Sequence, residues 1–199
     1  MTFRFGVVAA TARTGAEWVG IAQQAEELGY DILLVPDGVQ TLSPFAALAS
    51  AAARTSTLRL GTYVLSAPNR TPGLVAWETR SLQLLSGGRF ELGLGGGRPG
   101  AEQDAATLGA PFGTPGERLR RVADTIRAVR EGPDSTPILV AAAKPGMLRL
   151  AAEQADIVAM GLPPQSTEQD LAEMVGRLRA HGGSPEVRFA PVIAELRQG

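Results

Sequence analysis

The chain has 199 residues, of which 44% are hydrophobic, and a formal net charge of -1 at neutral pH. That composition supplies a sizeable core, and the near-zero charge excludes a strong global field toward nucleic acid or an anionic membrane. Cysteine is absent and His181 is the sole histidine, which excludes disulfides, thiolate chemistry and multi-histidine metal sites.

Residues 3–9 predict a short buried strand. Thr14 reads as a helix cap with Glu17 at capping-box spacing, and Trp18, Ile21, Ala22, Ala25 and Leu28 make one apolar face. Gly29 ends this helix. Residues 32–35 form a second strand, closed by Pro36-Asp37-Gly38. Ser43-Pro44 starts a helix that runs to about residue 53. Residues 58–65 are a third strand, with a loop over 66–70. Thr71-Pro72 starts the next helix, with Leu74, Val75, Glu78, Leu82 and Leu85 at helical spacing. Gly87-Gly88 then turns into a strand whose end is Gly95-Gly96-Gly97-Arg98.

Residues 98–113, rich in Gly, Ala and Pro, read as a long irregular connection. Thr114, Pro115 and Glu117 carry a cap, a first-turn proline and a capping box, and Leu119, Val122, Ile126 and Val129 face inward. Residues 138–142 are a fifth strand. Lys144-Pro145-Gly146 opens a short helix, and 156–160 is a sixth strand. Thr167 caps a helix with Leu171, Met174, Val175 and Leu178 on one face, ended by His181-Gly182-Gly183. A last strand spans 187–196; Pro191 inside it removes a donor, which suits an edge.

Six βα units and a seventh strand imply a parallel sheet with right-handed crossovers. A doubly wound sheet and a (β/α)8 barrel both satisfy this pattern. The even rhythm and small strand residues favour the barrel, although such barrels usually run to roughly 250 residues. The expected fold is therefore α/β and TIM-barrel-like, an incomplete barrel without the last βα unit, in one domain over 1–199. No stretch reads as a targeting signal or a membrane span, so a cytoplasmic location with no membrane or nucleic-acid partner is expected.

Ligands bind at the carboxyl ends of the strands in either fold. Those ends are Ala9-Ala10, Asp37-Gly38, Leu65-Ser66, Gly95 to Arg98, Ala143-Lys144 and Gly161-Leu162. One carboxylate and two cations, Arg98 and Lys144, stand on a small and apolar rim. This suits a flat ligand with an anionic tail, lying against the bare backbone of Gly95, Gly96 and Gly97. The alternative for that run is a bulge with a surface arginine. Lys144, the only lysine, precedes a helix start that can hold phosphate; a solvated lysine is the alternative. Arg118 lies in a first helical turn, where a cation opposes the helix dipole. It calls for an anionic partner, or for an ion pair with Glu117 or Asp124. Asp37 is either a base or part of a Pro-Asp-Gly turn.

Several stretches together resemble the bacterial luciferase-like family of flavin- or deazaflavin-dependent oxidoreductases, most closely its F420-dependent branch. They are Arg4-Phe5-Gly6-Val7, residues 25–31 (AEELGYD), Val35-Pro36-Asp37, Arg59-Leu60-Gly61-Thr62 and Arg70-Thr71-Pro72. The most specific is 82–95 (LQLLSGGRFELGLG), followed by 108–112 (LGAPF), Gly116-Glu117-Arg118-Leu119 and 137–156. The resemblance implies a TIM-barrel-derived homodimer that holds coenzyme F420, or alternatively FMN, at the strand ends and acts on a small organic substrate. It implies cofactor-phosphate contacts from Arg118, Lys144 and Gly146, with Arg98 nearby, and places Leu65 and Ser66 beside the ring. The residues themselves add Gly95 and Gly96 to the expected cofactor contacts and Asp37 as the candidate for proton handling. The resemblance also implies a strained peptide beside the ring at Leu65-Ser66. The chain departs from the family pattern at Gly38, where many members carry a histidine, and in the short connection 131–136. The alternative is a non-catalytic relative that binds a flavin-like or other planar ligand or serves as a structural partner.

Overall fold

The computed structural model describes residues 4–160, 166–182 and 185–189. Eight strands pair in parallel throughout: β1 (Gly6–Val8), β2 (Ile32–Val35), β3 (Arg59–Thr62), β4 (Leu65–Ser66), β5 (Phe90–Gly95), β6 (Ile138–Ala141), β7 (Ile157–Met160) and β8 (Glu186–Phe189). Their order in the sheet is β1-β2-β3-β5-β6-β7-β8, with β4 also on β5. Spatial order therefore follows chain order. A doubly wound sheet reverses its order at a switch point. Right-handed crossovers that always step the same way send every helix to the same face. The sheet is a TIM-barrel-like half-barrel, as the sequence predicts.

The helices are α1 (Gly15–Glu27), α2 (Pro44–Ala52), α3 (Pro72–Leu85), α4 (Ala101–Thr107), α5 (Pro115–Arg130), α6 (Pro145–Gln154) and α7 (Glu168–Arg179). Alternate strand residues face them. Phe90, Leu92 and Leu94 of β5, Ile138 and Val140 of β6, and Val158 and Met160 of β7 join one core with Ala22, Leu48, Val75, Leu82, Val122 and Ala151. The intervening residues Leu139, Ile157 and Ala159 form a second cluster inside the half-barrel with Tyr63, Val64 and Ala141. This is the period-two alternation of a sheet covered on both faces.

Several expectations are corrected. Residues 58–65 are not one strand: Leu60 pairs with Phe90 but Leu65 pairs with Leu94, so one extra residue separates β3 from β4. The peptide bond between Tyr63 and Val64 in that step is cis. Within the connection 98–113, α4 forms after Gly100, whose φ of 84 turns the chain into it. Thr14 accepts from the Glu17 amide, but Glu17 returns to Arg13 rather than to Thr14, so that capping box is incomplete. Thr114 and Glu117 complete theirs. Leu28, Leu74 and Leu85 point outward, at 60, 39 and 67% exposure. The last strand begins at Glu186, and Pro191, Gly183 and Gly161-Leu162 lie outside the described residues.

The Gly-Gly-Arg turn is structural. Gly87 and Gly88 have φ of 63 and 84, which glycine adopts without strain. The turn delivers Arg89 to the carbonyls of Ala52, Thr55, Leu58 and Ser86, so one guanidinium gathers the end of α2 and the entry to β3. At the amino ends of the strands, buried Glu91 accepts from Arg4 and Arg59, each at 2.6 Å.

Candidate functional site at the carboxyl ends of the strands

Along β5, Glu91, Gly93 and Gly95 alternate with the outward Phe90, Leu92 and Leu94. The glycines there are filled by protein. A Cβ at Gly93 would lie 2.0 Å from the Thr62 carbonyl oxygen, and one at Gly95 would lie 2.8 Å from Val64 Cγ2. A Cβ at Gly96 would meet Met147 Cε at 3.2 Å and Arg118 Cβ at 3.8 Å; one at Gly97 would meet Phe112 at 2.8 Å. The reading of bare backbone open to a planar ligand is thus corrected. The side-chain-free strand end lets Val64, Met147, Arg118 and Phe112 close in around it.

That approach brings two helix starts together. Arg118, in the first turn of α5, donates to the Gly113 carbonyl at 2.7 Å and lies 4.3 Å over the Phe112 ring. Met147 stands in the first turn of α6, and a Cβ on Gly146 would touch Leu119 of α5 at 3.4 Å. Lys144 is the exposed residue preceding α6, and no ion pair or hydrogen bond of its ammonium is found among the described residues. Gly96, Arg118 and Gly146 are therefore brought to one place, with Lys144 at its edge. The ion pairs expected as alternatives for Arg118 do not form; Asp124 pairs with Arg127 instead. Beside Arg118, Pro68, Pro111, Phe112, Gly113, Glu117 and Arg121 line a cavity of about 130 Å³.

Asp37 stands apart from this cluster. Its Oδ2 accepts from Arg70 Nη1 at 2.6 Å and from the Ser66 amide at 2.9 Å, and its Oδ1 accepts from Arg70 Nη2 at 3.1 Å. The pair is largely buried, with 5 and 15% of the two side chains exposed. Both oxygens of Asp37 are engaged in holding β4 and the start of α3 against β2. Burial pushes the neighbouring Glu78 carboxyl above its usual range, against the pull of Arg70 and with a further push from Asp37.

Arg98 reaches from the end of β5 toward the end of β2. Its Nη2 donates to Asp104 Oδ2 at 2.7 Å, and a Cβ at Gly38 would lie 3.1 Å from that same nitrogen. Leu65 and Ser66 are buried in β4. The Ser66 hydroxyl and both polar atoms of the Asn69 carboxamide are buried without a hydrogen-bond partner, in the turn just past β4. Orphaned buried polar groups cost about 1–3 kcal/mol each, so these atoms suit a bound partner with hydrogen-bonding edges. Asn69, Arg70 and Asp104 are missing from the sequence-predicted set. Only Arg70 carried a local signal, as part of Arg70-Thr71-Pro72.

A larger cavity, about 300 Å³, lies between α3 and the end of α5 and is lined by residues that include Trp77, Thr79, Arg80, Glu131 and Thr136. Orphaned buried polar atoms occur at both places, Thr79 and Thr136 at this cavity and Ser66 and Asn69 at the strand ends; we place the site at the strand ends because Arg98, Arg118, Lys144 and the α5 and α6 starts lie there. Among the described residues no group of His, Asp and Glu side chains is arranged to hold a metal ion. Among the described residues no helix is long and apolar enough to cross a membrane.

Comparison with known proteins agrees with this architecture. A 5,10-methylenetetrahydromethanopterin reductase of Archaeoglobus fulgidus is 30% identical over 155 residues, covering 66% of this chain and 45% of its own. The coenzyme F420-dependent tetrahydromethanopterin reductase of Methanopyrus kandleri superposes with a TM-score of 0.79 at 20% identity, over 96% of this chain and 65% of that one. A riboflavin lyase holding modified FMN and riboflavin superposes with a TM-score of 0.80 at 18% identity, over 96% and 62%. This chain spans about half the length of the curated relatives it matches. The family model described as luciferase-like monooxygenase matches residues 1–195, and the chain belongs to that family.

Proposed function

We propose that this chain binds coenzyme F420, with FMN as the alternative, and serves as an oxidoreductase on a small organic substrate. The observation that carries the reading is the convergence of the α5 and α6 starts on Gly96. The α6 start, which has no side-chain cap, with Arg118 of the Thr114-capped α5 and Lys144 beside it, makes an anion site for a cofactor phosphate. Gly96 and Gly146 allow the close approach. Leu65, Ser66, Asn69 and Gly95 lie on the adjoining rim, where the orphaned hydroxyl and carboxamide offer both donors and acceptors to a ring edge. When bound, a reduced deazaflavin supplies hydride, and reduced FMN can also activate oxygen; the protein supplies binding, orientation and electrostatics.

Asp37 acts as a positioning residue. It fixes the Ser66 amide and so the part of β4 nearest the ring, leaving the Ser66 hydroxyl free. Val64, Tyr63 and the inner cluster fill the barrel below and exclude water from that side. The exposed Leu74, Trp77, Leu84 and Leu85 of α3 support the homodimer that the resemblance implies, and light scattering at micromolar concentration tests it.

The test is a titration of the purified protein with F420 and, separately, with FMN, followed by fluorescence and calorimetry. Saturable binding of one, weakened by Arg118→Ala and by Lys144→Ala, is the expected result. Absence of binding by either at near-millimolar concentration would overturn the cofactor reading. Binding without turnover across a substrate panel would favour the non-catalytic relative.

A further inference from the structure

Two cations at the strand ends serve different places. Arg118 sits where β5 meets α5 and α6, whereas the Arg98 guanidinium lies over the end of β2. The room for it is the missing side chain of Gly38: a Cβ there would lie 3.1 Å from Arg98 Nη2 and 3.5 Å from Asp104 Oδ2. Arg98 Nη2 donates to Asp104 Oδ2 at 2.7 Å and Nη1 to the Pro99 carbonyl at 3.1 Å. The pair is asymmetric, with 7% of the Asp104 side chain exposed and 55% of that of Arg98. Asp104 is held by α4, whose Ala101 and Ala105 are buried.

The negative end of this pair is thus packed into the protein and the positive end faces outward. A guanidinium has five N–H donors in a fixed fork. With two of them used inward, the outward edge is free to take two oxygens of an anion side by side. Asp37, the other charge at the end of β2, is already matched by Arg70 and does not offset Arg98. The inward contact compensates a buried aspartate; the exposed remainder of the guanidinium, over a glycine 66 positions before Asp104, is not needed for that role.

We infer that Arg98, braced by Asp104 over Gly38, recognises the substrate, and that the substrate class is a small organic anion bearing a carboxylate or a phosphate. The inference rests on the cofactor reading for the word substrate; the anion site itself does not.

Calorimetric titration with benzoate and with phenyl phosphate tests it, on the protein alone and with F420 or FMN present. Saturable binding of at least one probe is expected, and the probe that binds tells carboxylate from phosphate. Arg98→Gln is expected to weaken it tenfold or more, as for a lost charge-assisted hydrogen-bond pair. Gly38→Ala keeps the charge but crowds the guanidinium, and is expected to weaken binding several-fold with an unchanged thermal melt. Arg118→Ala is expected to leave probe binding intact and weaken cofactor binding, and Arg98→Gln to do the reverse. Probe binding that depends on Arg98 in a protein that binds neither cofactor would sink the cofactor reading and keep the anion site. No probe binding to the wild-type protein, binding indifferent to Arg98→Gln, or a loss of cofactor affinity in Arg98→Gln would overturn the inference.

Discussion

Replacing Asp37 with asparagine separates a positioning role from a proton-carrying one. Asparagine keeps one acceptor for the Ser66 amide, but its amide group turns donors toward the Arg70 guanidinium. Breaking a buried ion pair by removing one partner costs about 3–5 kcal/mol. Arg70 keeps 15% of its side chain in water and Glu78 stands close enough to share its charge, which argues for the lower end, about 3 kcal/mol. For a chain of this size that corresponds to a melting temperature lower by roughly 6–12 °C. Urea unfolding followed by circular dichroism at neutral pH reads the first number and a thermal scan the second. Because the Arg70 side of the clamp is lost and β4 is held by the Ser66 amide alone, cofactor affinity should fall as well. A variant as stable as wild type to within about 0.5 kcal/mol, with cofactor affinity intact and only turnover lost, would refute the positioning role and restore Asp37 as a proton carrier.

Glu26 offers a pH test of the fold. Burial alone would raise its carboxyl, but the amides of Thr57, Leu58 and Ser56 and the Thr57 hydroxyl outweigh burial and hold it at about 2. A carboxyl depressed from 4.5 stabilises the fold above its ordinary value and loses that contribution as pH falls toward 2. Glu26→Gln should therefore be clearly destabilising in urea at neutral pH, by a margin that shrinks steadily from about pH 5 downward; a margin independent of pH contradicts this. Glu78 has the opposite sign. Its raised carboxyl resists ionisation, so Glu78→Gln should gain melting temperature relative to wild type at pH 7 and lose that gain near pH 4; a larger gain in acid would be inconsistent. Gly97→Ala places a Cβ 2.8 Å from the Phe112 ring at a φ of 95. It should cost about 1–3 kcal/mol and weaken cofactor binding by shifting the ring on which Arg118 rests, and wild-type values in both melt and titration would contradict that.

The strands and most helices were legible because each carries a local mark. Thr71-Pro72, Thr114-Pro115 and Thr167 announce helix starts, and ILLV and ILVA are apolar runs bounded by turns. The helix α4 escaped notice because Pro99-Gly100 resembles a loop and seven residues of AEQDAAT show no apolar stripe. The break between β3 and β4 escaped because Tyr63 and Val64 are good strand residues; only the pairing partners on β5 reveal the extra residue. At the candidate site, Arg118 and Lys144 carry a local mark, a cation at a helix start, and Gly96 a glycine-dense strand end, whereas Gly146 follows only from the family resemblance. The Asp37–Arg70 clamp and the Gly38–Arg98–Asp104 group carry no such mark, because each joins residues far apart in the chain through a shape that only the folded sheet creates. The glycines of β5 were noticed but misread: lack of a side chain marks close approach without saying what approaches.

The agreement of spatial order with chain order has a kinetic consequence. Apart from the short β4, each strand bonds to its neighbours in chain order, so every pairing closes a loop of one helix, or of two between β5 and β6. Loop closure of that length is entropically mild, and contacts of limited sequence separation form quickly. A chain emerging from the ribosome can add one unit at a time to an existing edge, without waiting for distant segments. Protection from hydrogen exchange should accordingly be graded along the sheet, deepest at β5, which has neighbours on both sides and is buried at every residue, and shallowest at β1.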